Sequence, residues 1–398
     1  MSLQIIESSR YRVVDKFLLI SGYLGINVVL FIKDGVKIVA DSERYIEYAT
    51  RLHDGFYFDP HNFWYIGYSL YIALIQQLHG DVMGVVIGQY ALGLLAVVAL
   101  YHASLYIWNN RWSAWCTTLF YLLFIEIASW NAYVLTESIY LSFTCFSLYF
   151  LARVTREPSW AVGSITFIVV LFTIFIKPTG IALAGALSWV LLAYYLQRLN
   201  NRIIRVAVVL ISVSTFIYLV NQRLATYLIM ENYQSGEVIY GVTTVKDRAG
   251  VSIFLLDVPE NSYHPSAHLP PIVKMVLFFL HHPVYWLKLF FTKAYYLLFH
   301  IRPFWSVGHN VFSLIVLIPA YFYCIRVFLK ERSKNQVVTF AIVYLAIHVL
   351  SVCMTSEDWD GRFLMPMLPV VFFFSGHGIS VYFKERDERR QEVNGIAK

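Results

Sequence analysis

The sequence predicts an all-α polytopic membrane protein, and three observations carry that prediction. Hydrophobic residues make up 58% of the chain and charged residues only 14%, where a soluble domain carries about 25% charged residues. Apolar runs close to the ~20 residues needed to cross a bilayer recur from end to end. The basic residues gather in the short loops between those runs. The formal charge of +6 is therefore spread over many loops rather than held in one patch, which argues against a nucleic-acid partner. Cys116, Cys145, Cys324 and Cys353 lie in or beside apolar runs and form no close pair. They read as packing residues, with neither a disulfide framework nor a metal site implied.

Hydropathy gives about 10 spans, at 16–32, 82–107, 112–130, 132–152, 160–176, 179–197, 203–220, 311–328, 337–354 and 363–383. The first apolar run, Phe17 to Ile32, leads into Lys33-Asp34-Gly35 with no small-residue cleavage site. It is expected to stay as a span and not to be a signal peptide. Arg10, Arg12 and Lys16 precede it. Arg111, then Arg153 and Arg156, then Arg198, Arg202 and Arg205 occupy alternate loops. Arg326, Lys330, Arg332 and Lys334 form another group, and Lys384, Arg386, Arg389 and Arg390 follow the last span. All of these share the cytoplasmic side only if the chain crosses an even number of times between Val220 and Val311. Pro283 to His300 is apolar enough to span, but Lys288, Lys293 and His300 interrupt it. Pro271 to His300 is therefore expected to lie in the outer interface or to form a re-entrant pair of helices, with both termini cytoplasmic.

Residues 1–398 read as a single transmembrane domain with two long extracytoplasmic loops, 33–81 and 221–308. Loops of that length are commonly functional. Phe56, Tyr57, Phe58, Phe63, Trp64 and Tyr65 stud the first, and Tyr285, Trp286, Tyr295 and Tyr296 the second, as suits a membrane interface. Ser42 to His53 and Ile66 to Leu78 read as interfacial helices. No internal repeat is visible.

The candidate chemistry lies on that outer side. Helical spacing places Asp41, Tyr45, Tyr48 and Leu52 along one face of the first interfacial helix, and Arg44, Glu47 and Arg51 along another. Asp41 has two compatible readings: the N-cap of a helix starting at Ser42, or a general base for a hydroxyl acceptor. Glu137 falls about one turn inside the outer end of the fourth span. A carboxylate there costs several kcal/mol unless it is paired or wet, so it is either functional or a structural partner for Lys177 or an arginine. Glu126 is a second case of the same kind, or a headgroup-layer residue. Lys177, in the turn Lys177-Pro178-Thr179-Gly180, is a snorkelling lysine or a cation for a phosphate. Arg302 and Arg362 place guanidinium groups at outer ends of apolar segments, suited to bidentate phosphate binding or to headgroup anchoring. Glu357, Asp358 and Asp360 lie beside Arg362 and are suited either to pairing with it or to ligating a divalent cation. His53, His61, His264, His268, His281 and His282 share this side, and His264 is kept as a substrate-binding candidate. No HExxH pattern occurs, so no zinc is claimed, and the lack of a Walker motif or nucleotide fingerprint argues against a nucleotide site; a divalent cation is the cofactor left open.

These residues carry a resemblance. The chain is similar to the integral-membrane glycosyltransferases of the GT-C superfamily. The likeness is to the polyprenyl-phosphate-sugar branch that includes protein mannosyltransferases and lipid A aminoarabinose transferases. Asp41-Ser42-Glu43-Arg44-Tyr45 resembles that family's Asp-Glu-x-x-Tyr-type motif after the first span. Gly67-Tyr68-Ser69-Leu70-Tyr71 with Leu78-His79-Gly80 resembles its second juxtamembrane segment. Leu135-Thr136-Glu137-Ser138 matches its early acidic residue in the fourth span. Arg362-Phe363-Leu364-Met365-Pro366 with Pro369 resembles its late Arg-aromatic-Leu-x-Pro segment.

The resemblance implies a GT-C-like bundle with juxtamembrane helices on the extracytoplasmic side. It implies inverting transfer of a sugar from a polyprenyl-phosphate donor to a lipid, glycan or protein acceptor on the extracytoplasmic face; the lack of an Asn-x-Ser/Thr sequon fits a bacterial inner membrane. Asp41 would be the base, and Glu137 a second catalytic residue shaping the acceptor or donor site. Lys177, Arg302 and Arg362 would meet the donor phosphate, with Glu43, Arg44 and Tyr45 among the substrate-binding residues. Two departures stand out. Ser42 occupies the second position of the Asp-Glu pair, with Glu43 one residue late, and the chain ends near its last span, so no large soluble C-terminal domain is expected. Two other classes compete. A lipid-linked glycan flippase would need inverted repeats and mid-bilayer charges, and a glycan polymerase or ligase would share much of the chemistry but not the early Asp41 motif.

Overall fold

The computed structural model describes residues 2–245, 251–331 and 336–393. Arg332 and Lys334 of the basic groups, and 246–250 of the long outer loop, lie outside the described residues. The described chain is all-α, with no strand and only isolated bridges such as Lys37 to Tyr133. In order its helices are α1 (Ser2–Asp34), α2 (Ala40–Arg51), α3 (Ile66–Gln77), α4 (Val82–Trp108), α5 (Arg111–Leu123), α6 (Ile125–Ser129), α7 (Thr136–Arg156) and α8 (Trp160–Ile176). There follow α9 (Ile181–Arg198), α10 (Arg202–Leu224), α11 (Ile229–Ser235), α12 (Pro271–His281), α13 (Pro283–Phe299), α14 (Val307–Glu331), α15 (Gln336–Met354) and α16 (Leu368–Val393). Among the described residues, eight helical stretches are long and apolar enough to cross a membrane: those of α1, α4, α7, α9, α10, α14, α15 and α16. The protein is a polytopic membrane protein.

Two compact units are present: 1–177, 315–334 and 365–398 make the first, and 178–314 with 335–364 the second. In the first, one end is an ionic layer. The buried Asp15 carboxylate accepts from Tyr101 Oη at 2.7 Å and from Arg111 Nε and Nη2 at 2.7 and 2.6 Å. Arg156 donates to the Tyr106 carbonyl at 2.9 Å. Glu385 on α16 binds Arg326 and Lys330 on α14. His377 on α16 joins the two groups, lying 3.3 Å from Ser113 Oγ on α5 and 3.3 Å from Glu331 on α14, so the ends of α14 and α16, the Asp15 region of α1 and the loops after α4 and α7 share one face. At the opposite end Lys37, just past α1, pairs its backbone with Ala132 and Val134.

That frame decides two short segments. The α5–α6 pair, bent by 61°, begins at Arg111 in the ionic layer and ends at the turn paired with Lys37, so it crosses. Helix α8 has 17 residues, only about 25 Å. It leaves the ionic end after Arg156 and ends beside Lys177, which binds Glu137 at the far end of α7. It too crosses. Together with the eight, these helices occupy, among the described residues, the ten stretches read from hydropathy.

The same frame bears on α12 and α13. Lys177 lies at the far end and α14 finishes in the ionic layer, so the chain between them crosses an even number of times. Helices α9 and α10 supply two crossings. Helix α12 has 11 residues, about 17 Å, too short for the ~30 Å hydrocarbon core. It is bent by 115° from α13, the shape of a re-entrant pair.

In the second unit α9 and α15 approach closely at Gly185, where a Cβ would lie 2.5 Å from Ile347 and 3.1 Å from Phe216. A buried cluster of Tyr233, Val238, Ile239, Phe254, Phe278 and Leu289 holds the long connection onto α12 and α13. Helix α10 differs from every other span: none of its apolar window is buried.

Candidate functional site

The first unit presents its candidate residues at the end away from the ionic layer. Helix α2 starts at Ala40 with Val39 as its N-cap, earlier than the expected start at Ser42. Asp41 is therefore not the cap. The reason is Ser42, whose Oγ reaches back to accept the Val39 backbone N–H at 3.0 Å. Asp41 lies instead in the first turn, where the helix dipole favours its negative charge. Ser42, Tyr45, Tyr48 and Ala49 form the buried face of α2, while Glu43 is exposed. Ser42 and Glu43, which together depart from the Asp-Glu pair, thus divide the work: the serine shapes the helix start and the glutamate faces outward.

Asp41 keeps a side chain 35% exposed and accepts from Arg44 Nη2 at 3.3 Å. Arg44 also donates to Asn62 Oδ1 at 3.1 Å and to Tyr45 Oη at 3.1 Å. Its guanidinium lies over the Tyr45 ring at 4.7 Å and the Tyr65 ring at 4.8 Å. The cation is thus set in an aromatic cradle, with its side chain 27% exposed. Burial pushes the Tyr45 phenol well above its ordinary range; Tyr65 adds to this, Arg44 opposes it, and the charges of Asp41 and Glu137 add further. Tyr45 therefore stays protonated, and its hydroxyl feels both carboxylates singled out from the sequence. Tyr68 on α3 is raised in the same way, by burial, then Tyr71, then Glu137.

Glu137 is buried and belongs to the first turn of α7, which begins at Thr136. This corrects the expected depth of one full turn, because the span starts after the turn at Trp130–Ala132 and not at residue 132. Its carboxylate binds Lys177 Nζ and accepts from Thr136 Oγ1 at 3.2 Å. Lys177 is 4% exposed, so it does not snorkel. The structural partnership left open by the sequence is formed. Helix α3 closes over this pair: at Gly67 a Cβ would meet the backbone of Phe175 and Ile176 at 3.1 Å. The absence of a side chain at Gly67 lets α3 lie this near the end of α8 without displacing its backbone.

The remaining candidates belong to the second unit. Arg302 is completely buried. Its Nη2 donates to Glu357 Oε1 at 3.1 Å and the Asp358 carbonyl at 2.9 Å. Its Nη1 donates to the carbonyls of Tyr296 at 2.9 Å and Ile301 at 3.0 Å. Both Nη groups are thus committed to protein acceptors and present no fork to a phosphate in this conformation. Arg362 pairs with Asp358 at 2.8 Å, so Glu357 and Asp358 divide between two arginines. Burial pushes the Glu357 carboxyl up to about 7, against Arg302. His264 is exposed, with Nδ1 2.8 Å from Gln234 Nε2.

Sequence reading passed over Asn62, Gln89 and Asn131. Gln89 and Asn131 carried a signal: uncapped amides within or beside apolar runs need partners when buried. The chain matches no protein-family model and no curated protein.

Proposed function

We propose that the protein is an inverting membrane glycosyltransferase that moves a sugar from a polyprenyl-phosphate donor to a hydroxyl acceptor, with Asp41 as general base. The end of the first unit bearing Arg111, Arg156, Arg326 and Lys330 is cytoplasmic by the positive-inside rule. The Asp41 end then faces outward, in a bacterial inner membrane with both termini inside.

One observation supports this reading most: a half-exposed carboxylate heads a surface helix one turn from an arginine held in an aromatic cradle. The acceptor O–H gives its proton to Asp41 as its oxygen attacks the anomeric carbon. The bond to the phosphate breaks with its electron pair, leaving a phosphate anion. Arg44, always charged, sets a fixed positive charge one helical turn from Asp41 that favours such an anion. Glu137 serves as a buried anchor for Lys177, not as a second base, because it is shut away from acceptor and water alike.

The test is transfer by purified full-length protein supplied with labelled polyprenyl-phosphate sugars. Asp41→Asn should lower the rate by about 10²- to 10⁴-fold with unchanged thermal stability. Undiminished transfer would remove the base, and wild-type protein inert toward every such donor would remove the transferase.

A further inference from the structure

A buried amide network runs between the two segments that carry the Glu137–Lys177 pair. Its centre is Gln89 on α4, fully buried in an otherwise apolar stretch. Both of its Nε2 hydrogens are used, on the carbonyls of Asn131 at 2.9 Å and Tyr133 at 2.8 Å. Those carbonyls belong to the turn that launches α7, and Glu137 lies a few residues beyond. The same turn is fastened a second time: Asn131 Oδ1 accepts from Ser138 Oγ at 2.6 Å. Asn131 Nδ2 donates to Asn27 Oδ1 at 2.9 Å and to Tyr23 Oη at 3.0 Å. On its other side Gln89 Oε1 accepts from Tyr68 Oη at 2.9 Å. Tyr68 follows Gly67, the residue that abuts the backbone of Phe175 and Ile176 immediately before Lys177.

We propose that Gln89 is the positioning residue of the Glu137–Lys177 pair, tying the Glu137 turn to the α3 contact beside Lys177. A side chain that donates twice and accepts once, in opposite directions, is required at that place. Among uncharged residues, only a carboxamide offers this, and asparagine is one methylene too short to reach both sides. The ion pair is a contact between two separate chain segments, so its alignment depends on whatever fixes both. Removing the amide leaves two buried carbonyls and a buried hydroxyl without their partner, which raises local opening by about tenfold or more.

The geometric role is independent of any reaction; its consequence for catalysis rests on the transferase reading. The experiment uses full-length protein in detergent, brief acetylation with acetic anhydride, and mass spectrometry of the modified lysines. Gln89→Met keeps the volume and removes the amide. Lys177 should then acetylate about tenfold faster, while Lys293, fully buried in the second unit, stays at its wild-type rate. An unchanged Lys177 rate overturns the proposal, and so does an equal rise at Lys293, which would mean general loosening. Tyr68→Phe deletes only the α3 link and should move Lys177 in the same direction by less, which keeps the test open if Gln89→Met does not fold. In the transfer assay Gln89→Met should lower kcat and leave the donor KM near wild type. A labelling change with no transfer by the wild type supports the Gln89 role and sinks the transferase instead.

Discussion

The two units use the same residue types to opposite ends. In the first, Arg44 stands over Tyr45 and Tyr65 beside a carboxylate that remains 35% exposed. In the second, Arg302 is wholly buried and holds Glu357 with three backbone carbonyls. A guanidinium whose Nη groups are spent on carbonyls is a clasp: it joins the segment after α13 to the segment after α15, 55 residues on. A guanidinium stacked on rings and shared with a partly exposed acid stays in reach of solvent, its side chain 27% exposed where that of Arg302 is 0%. Accessibility, and not residue identity, separates a candidate site from a fold-holding ion pair.

Arg302→Leu is the harshest way to break this contrast. It leaves Glu357 buried and uncompensated, and should cost about 3–5 kcal/mol, seen as a lowered unfolding temperature in detergent. Stability near wild type would show that the arginine holds nothing. A smaller effect follows from Glu357 itself. Its carboxyl is raised to about 7 by burial, against the pull of Arg302, so the folded state holds the proton more tightly than the unfolded state. The stabilising contribution is complete below the ordinary carboxylate range and is lost as pH rises through about 7. The loss should be on the order of 1–3 kcal/mol, and Glu357→Gln should flatten it. An unchanged slope in that variant would place the titration elsewhere. The mildest prediction concerns Arg44→Lys, which loses the planar stacking. It should change stability by less than about 1 kcal/mol while raising the donor KM about tenfold. A loss of stability as large as that of Arg302→Leu would erase the difference between the two regions.

Much of the bundle was legible because a bilayer makes local hydropathy decisive: every span has to satisfy its own backbone and show apolar side chains. The Glu137–Lys177 partnership was legible for the same reason, since a charge in that setting seeks an opposite one. The start of α2 was not. Asp before Ser looks like a cap, yet Ser42 serves from inside the helix, and local propensity does not rank the two. The Arg302 clasp was also hidden. Arg302 and Glu357 sit far apart in the chain, and each alone looks like a headgroup or metal residue. Only the fold, by bringing carbonyls 296, 301 and 358 to one guanidinium, shows that the phosphate reading competes with an occupied fork.

Helix α10 has a different consequence, for how the protein is made. A span that buries none of its apolar window draws its stability mainly from lipid, with few packing contacts such as that of Phe216 at Gly185. It can partition into the bilayer as soon as it leaves the ribosome, before α14 to α16 exist. Apolar exchanges along it should be silent. Its insertion then needs no partner helix, unlike a span such as α16, whose window is 67% buried.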